Sequence, residues 1–380
     1  MRSPVCDMFG IEFPLFAFSH CRDVVAAVSK AGGMGVLGAV SMSGKQLEEE
    51  LRWIDDHVDG KPYGLDLIVP NKVEGKGQDV QEDAMLKMIP EELKAFSSDI
   101  LQRHDIDVGD IDEVRRGIVA GTKGLSGSNA SEVLEVAFKF PIKLVVNALG
   151  FPPQIMLDMA KKHNVPVGAL VGTKQHALGQ VKNGVDVLIA AGGEAGGHTG
   201  EVSTMVLLPE VCEALSRAGY DTPVLAAGGI ATGGQMAATM AMGAAGAWCG
   251  SVWLTTAEAE TNPIVKEKML AASSRDTVRS RSRTGKPSRQ LRSAWTDAWE
   301  STDAPSPLPM PLQSLVSEPA LKKIDKYSQS GHDGAKELAT YWVGQAVGLM
   351  NESMSAGQVV QEFKQDFLAA YERLANALED

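Results

Sequence analysis

Eight short apolar runs, separated by stretches with helical spacing, constrain the fold of this chain more than any other feature. They are PLFAFSH (14–20), MGVLGAV (34–40), PYGLDLIV (62–69), KLVVNAL (143–149), PVGALVG (166–172), DVLIAAG (186–192), PVLAAGG (223–229) and GAWCGSVW (246–253). Continuous apolar runs joined by helices are the pattern of parallel strands buried on both faces. The stretch DVVAAVSKAGG (23–33) sets Val24, Val28 and Ala31 on one helical face and ends in glycines. KQLEEELRWIDDHV (45–58) reads as a second helix. Eight such units predict an α/β fold, a closed (β/α)8 TIM barrel. An open doubly wound sheet is the alternative. It is disfavoured because no GxGxxG opens the first helix and no acidic residue follows at the ribose-binding distance.

The rhythm breaks twice. Residues 71–130 are polar, with Gly75, Gly77, Gly121, Gly124 and Gly127 among helical pieces, and read as an insertion. From about residue 257 the chain turns irregular: RDTVRSRSRTGKPSRQLR (275–292) reads as a basic loop and STDAPSPLPMPLQ (301–313) is Pro-rich. The last helix carries Val360, Phe363, Phe367, Tyr371, Leu374 and Leu378 at helical spacing, and is expected to pack back on the barrel. The expected division is therefore a barrel of 1–70 and 131–256 with the C-terminal helix 346–380, and a smaller, mainly helical insertion or lid of 71–130 and 257–345.

A net charge of −12 argues against a general nucleic-acid partner, which would need a basic face. Cys6, Cys21, Cys212 and Cys249 are scattered without a CxxC pair, so neither a zinc site nor a disulfide framework is expected, and no metal is assigned. No apolar run approaches the ~18 residues of a membrane span. With no signal-peptide pattern at the start, a cytoplasmic protein is expected, with a homodimer left open.

The chemistry concentrates in AAGGEAGGHTG (190–200), which ends the sixth run with five glycines, Glu194 and His198. In a parallel barrel the active site lies at the C-terminal ends of the strands. Glycine lets backbone approach a ligand closely, and His198 would stand over what that backbone cradles. The seventh run ends in Gly228 and Gly229, the eighth in Gly250 and Ser251. Loops after strands seven and eight with free N–H groups make the usual phosphate site of such a barrel.

The motifs GGEAGGHTG, AAGGIATGGQMAATMAMGAAG and WCGS, with AAVSKAGGMGVLGA near the start and GQAVGL (344–349) near the end, resemble the FMN-dependent nitronate monooxygenases, once called 2-nitropropane dioxygenases. The resemblance implies FMN as cofactor, with an alkyl nitronate or nitroalkane and O2 as small-molecule partners. By position it implies that Gly228, Gly229, Gly250 and Ser251 hold the FMN phosphate. It likewise puts Ala191, Gly192, Gly193, Gly196 and Gly197 along the ribityl chain or ring, and makes His198 the catalytic base. A base partly neutral near pH 7 suits removal of the α-proton of a nitroalkane. Three positions depart from the family. FAFSHC stands where its first strand usually ends in a proline–methionine pair. Asp66 stands where the third strand usually brings an asparagine to the flavin, and Ala191 replaces a glutamine.

Glu194 reads as structural within its own turn, and Cys249 as a packed strand residue. His20 reads equally as a second active-site group or a satisfied histidine. Lys174, after the fifth strand, is a candidate for the flavin's pyrimidine edge. The basic run Arg275, Arg279, Arg281, Arg283, Lys286, Arg289 and Arg292 reads as solvated or internally paired, or as a site for an anionic substrate or acyl-carrier partner. An FMN-dependent NAD(P)H oxidoreductase, such as an enoyl-acyl-carrier-protein or quinone reductase, is the alternative function. A flavin-binding barrel without activity is a third.

Overall fold

The computed structural model describes residues 1–40, 42–68, 82–122 and 127–378. Its centre is a closed barrel of eight parallel strands: β1 (Leu15–Ser19), β2 (Met34–Gly38), β3 (Tyr63–Leu67), β4 (Leu144–Asn147), β5 (Val167–Val171), β6 (Val187–Ala191), β8 (Val224–Ala227) and β9 (Gly246–Cys249). β9 pairs with β1, Leu15 opposite Ala247, and closes the ring. All eight runs expected to be strands are barrel strands. The extra strand, β7 (Gly197–His198), lies outside the barrel.

Strand alternation divides the core. Tyr63, Leu65 and Leu67 face outward, with Leu47, Leu51 and Ile54 of the Gly44–His57 helix. Phe16, Met34, Val36, Leu144, Val146, Ile189 and Trp248 fill the barrel interior. Phe16 and Phe18 both stack on Trp248, with centroids 6.2 Å apart in each pair, so the interior is a packed aromatic and aliphatic plug.

Residues 275–292 are not a loop. β10 (Thr277–Ser280) and β11 (Ser288–Leu291) pair antiparallel, and β11 also pairs with β7, making a three-stranded sheet beside the barrel mouth. The charges hid this: Thr277, Val278, Arg279 and Ser280 do not alternate by polarity, and Arg279 is engaged with the Thr199 carbonyl and Glu201. Gly285 makes its turn, at φ +85°, where a Cβ would stand 2.0 Å from the Leu308 carbonyl of the Pro-rich segment.

The described part of the inserted region is helical. Helices Glu91–Gln102 and Ile111–Thr122 lie against the Leu312–Gln329 helix. Arg115 donates from Nε to the Leu315 carbonyl at 2.9 Å, and Lys323 pairs with Asp110. Residues 69–81 and 123–126, with Gly75, Gly77 and Gly124, lie outside the described residues. Among the described residues no helix is long and apolar enough to cross a membrane.

The Ala356–Asn376 helix, opened by the Ser355/Gln358 capping box, packs on the Gly233–Ala241 helix as expected. Val360 and Phe363 are buried, but Tyr371, Leu374 and Leu378 are exposed, since the helix runs past the barrel edge. The two helices meet so closely at Gly233 that a Cβ there would be 1.9 Å from the Phe363 carbonyl, whereas at Gly234 it would make only ordinary contacts. Gly233→Ala is therefore expected to destabilise the protein by about 1–3 kcal/mol. Gly234→Ala should be neutral or stabilising by up to about 1 kcal/mol. Chemical denaturation of both variants checks the contrast, and equal effects would contradict the packing described.

Candidate active site

The glycine-rich segment after β6 is fixed by its neighbours. A Cβ on Gly192 would lie 2.3 Å from the Thr204 backbone nitrogen, one on Gly196 2.8 Å from the Val343 carbonyl carbon, and one on Gly228 3.0 Å from Gly192. These glycines are needed for close approach, and none can carry a side chain. Gly197, Gly228 and Gly229 take φ of +74°, +97° and +72°, the left-handed region that favours glycine. Glu194 takes the structural role: its Oε2 accepts from the backbone N–H of Thr204 at 2.9 Å and from the Thr204 hydroxyl at 3.0 Å. It thereby supplies an acceptor to the first turn of the Thr204–Arg217 helix, where a negative charge is favoured.

The loops after β6, β8 and β9 form one ensemble at the C-terminal face. Gln345 N–H donates to the Glu194 carbonyl at 2.9 Å, and Gly344 N–H donates to Ser251 Oγ at 2.8 Å. The 344–349 segment thus ties the β6 loop to the tip of β9. Among the described residues, the backbone N–H groups of Gly229, Gly250 and Ser251 meet no acceptor. Space is open beyond Gly250: a Cβ there would have only Phe18 within 4 Å, at 3.7 Å. Unsatisfied backbone N–H groups at the ends of β8 and β9 are donors of the kind a phosphate group requires. The residues fit a phosphorylated cofactor on this observation.

His198 sits on β7, opposite Ser288 of β11. Paired residues share a face, so the Ser288 side chain lies on the histidine's side of the ribbon. His198 Nε2 is 2.8 Å from Thr284 Oγ1. Thr284 Oγ1 also accepts from Lys286 N–H at 3.3 Å and lies 3.4 Å from the Lys286 carbonyl. Although His198 remains accessible at the mouth, partial desolvation, followed by the nearby Lys286 ammonium, lowers its pKa below the usual 6.5. The neutral imidazole is thereby favoured. Below pH 6.5 the unfolded chain takes up a proton that folded His198 resists, so this residue subtracts stability as the pH falls.

The basic run is largely paired within the protein. Arg289 donates from Nε and Nη2 to the Gly193 carbonyl at 3.2 and 2.9 Å, and Arg279 reaches the Thr199 carbonyl at 3.3 Å and Glu201 at 3.4 Å. Arg283 pairs with Glu318 at 2.8 Å and lies over the Trp342 ring at 4.0 Å. The roles of Thr284, Lys286 and Arg289 at the histidine were not read from the sequence. The signal was the TGKP turn between two runs of like composition, a hairpin cue masked by the arginines.

The other candidates are engaged within the protein or buried. Lys174 is engaged with Glu210 at 2.8 Å. Cys249 is fully buried, and burial pushes its thiol pKa far up. His20 has Nδ1 2.6 Å from the Gly38 carbonyl and meets Phe18 edge-on. It also borders a cavity of about 380 Å3 between the end of β1, Trp253, Arg283 and Tyr341, a space His198 does not line. Asp66 and Ala191 end in the barrel wall, both near the C-terminal rim.

The nitronate monooxygenase family profile matches residues 2–366. A Mycobacterium tuberculosis protein, provisionally named a monooxygenase, is 52% identical over 97% of each chain. A Staphylococcus saprophyticus protein named probable nitronate monooxygenase is 24% identical over 95% of this chain and 96% of its own. Among solved structures, FabK from Thermotoga maritima superposes with a TM-score of 0.71 at 25% identity over the whole of both chains. The nitroalkane oxidase of Streptomyces ansochromogenes gives 0.75 at 22%, covering 97% and 99%, a likeness of fold.

The electrostatics of the histidine are directly measurable. In an NMR titration His198 should show an inflection below pH 6.5. Lys286→Met should move it upward by removing the nearby positive charge, and an unmoved inflection would contradict this geometry.

Proposed function

The chain belongs to the nitronate monooxygenase family of oxidoreductases, and from that premise we propose that it is an FMN-dependent enzyme that oxidises alkyl nitronates or nitroalkanes with O2. The observation that carries this reading is His198, oriented by Thr284 at 2.8 Å on the strand that follows the β6 glycine loop, together with strand-end loops whose N–H groups are unsatisfied. Gly228, Gly229, Gly250 and Ser251 would hold the FMN phosphate, and Ala191, Gly192, Gly193, Gly196 and Gly197 would run along the ribityl chain and ring. Asp66 would approach the ring from the barrel wall. Bound FMN would accept electrons from the nitronate and support reaction with O2.

His198 is the base in this reading. Thr284 Oγ1, with its own hydrogen directed to the Lys286 carbonyl, accepts from His198 Nε2–H, which leaves Nδ1 with the lone pair. Nδ1 takes the α-proton of a nitroalkane, and the electron pair of the broken C–H bond passes into the nitro group. With a nitronate as substrate no proton need leave carbon, and His198 then serves to orient the substrate. Arg289, bonded to the Gly193 carbonyl, would keep the histidine's ribbon in register with the glycine loop. The 82–122 helices, the Leu312–Gln329 helix and the ribbon would form one lid over the mouth.

The whole-length likeness to FabK favours a second reading, an FMN-dependent NAD(P)H reductase. Steady-state oxygen uptake with propyl-2-nitronate separates the two, since a reductase consumes none without a nicotinamide. His198→Ala should keep flavin and lose about 10²–10⁴-fold in turnover of neutral nitroalkanes, but less than about tenfold on nitronates. Equal losses on both forms would refute the base. Gly250→Val should leave the apoprotein's melting unchanged, since the site is open, while weakening FMN retention. Undiminished retention would remove Gly250 from the phosphate site.

A further inference from the structure

β3 turns a carboxyl group into the barrel. Tyr63, Leu65 and Leu67 pack outward, so Gly64 and Asp66 face inward. Gly64 bears this out: a Cβ there would touch Leu144 and Met34 of the interior. Asp66 lies one layer higher, toward the C-terminal rim, in register with Gly38 of β2 and Val146 of β4. It is 2% exposed, and its Oδ1 meets no partner among the described residues. Gly38 contributes no side chain, and Phe18 and His20 close over it from β1.

Among the described residues, the strands flanking Asp66 bring no cationic side chain to it. β2 offers Gly38, β4 offers Val146, and Phe18, Leu170, Ala191 and Trp248 line the same end of the interior. Asn147 directs its Nδ2 to the Leu149 and Gly150 carbonyls. The titratable neighbour beyond β2 is His20, whose Nδ1 is committed to the Gly38 carbonyl. Burial alone raises the Asp66 pKa well above the ordinary carboxylate value. A buried, unpartnered polar group is costly, and such a cost persists where a ligand completes the site.

We propose that Asp66 acts as an uncharged carboxylic acid that donates its hydrogen bond from the barrel interior to an acceptor atom of the ring group bound over the mouth, and so helps retain that group. The proposal rests on the FMN reading above. An acid kept neutral by an apolar site can donate where a carboxylate would repel a ring that gains negative charge.

Infrared difference spectra of the FMN-loaded protein against Asp66→Asn test this at pH 7. A protonated-carboxyl C=O band should be present in the unsubstituted protein, absent from the variant, and should shift when FMN is removed. A missing band, or one indifferent to FMN removal, would overturn the proposal. Fluorescence titration with FMN supplies a second readout. Asp66→Asn, which keeps an N–H donor, should bind FMN within about threefold of the unsubstituted protein, and Asp66→Ala about tenfold more weakly. Affinity unchanged in Asp66→Ala would also overturn it. A protein with the FMN-sensitive band that leaves nitronates unreacted defeats the functional reading alone. A nitronate oxidase lacking the band defeats only this proposal.

Discussion

The mouth of the barrel depends on backbone meeting backbone without side chains between. Gly192 lies against Thr204, Gly228 against Gly192, and Gly196 against Val343 and Gly344. The contacts draw in the start of the Thr204–Arg217 helix, the end of β8, and the segment before the last helix. The glycines that would seem to make this loop loose are what permit its immobilisation. The N–H groups of Gly229, Gly250 and Ser251, at the ends of β8 and β9, meet no acceptor among the described residues.

The histidine is held from the other side. Barrel strands could not present His198 there, so the chain adds a two-residue strand that pairs with a ribbon ninety residues later in sequence. That ribbon is in turn anchored through Ser282, whose carbonyl accepts from Gln313 Nε2 at 2.8 Å and from Ser317 Oγ at 2.6 Å. Hydrogen bonds therefore run without a break from the Leu312–Gln329 helix through the ribbon to Thr284 and His198.

The barrel was legible because its signal is repeated: eight buried runs with helical intervals admit few topologies. The glycine loops were legible from their position at strand ends, and Glu194 from its place in a tight turn. The ribbon of 275–292 was not, because its alternation is obscured by arginines that pair inward, such as Arg283 with Glu318 and Arg289 with the Gly193 carbonyl. Pairings between segments so distant leave no local trace, so Thr284 and Lys286 could not be assigned to His198 from spacing. Lys174 shows the converse, a plausible position at a strand end that an ordinary ion pair with Glu210 occupies.

Asp66 and Ala191 stand where sequence and family pattern disagree, and Asp66 is where the structure gives the disagreement physical content. Burial in an apolar interior, with no partner for Oδ1 among the described residues, raises the Asp66 carboxyl above the ordinary carboxylate range. The proposed reaction requires electrons to pass from a nitronate to FMN without a nicotinamide. The direct measurement is anaerobic: the visible spectrum of the FMN-loaded protein, with propyl-2-nitronate and NADPH added in separate cuvettes. Bleaching by the nitronate alone, with oxygen uptake on re-aeration, is the predicted result. Bleaching by NADPH alone would contradict the account and make the protein a reductase.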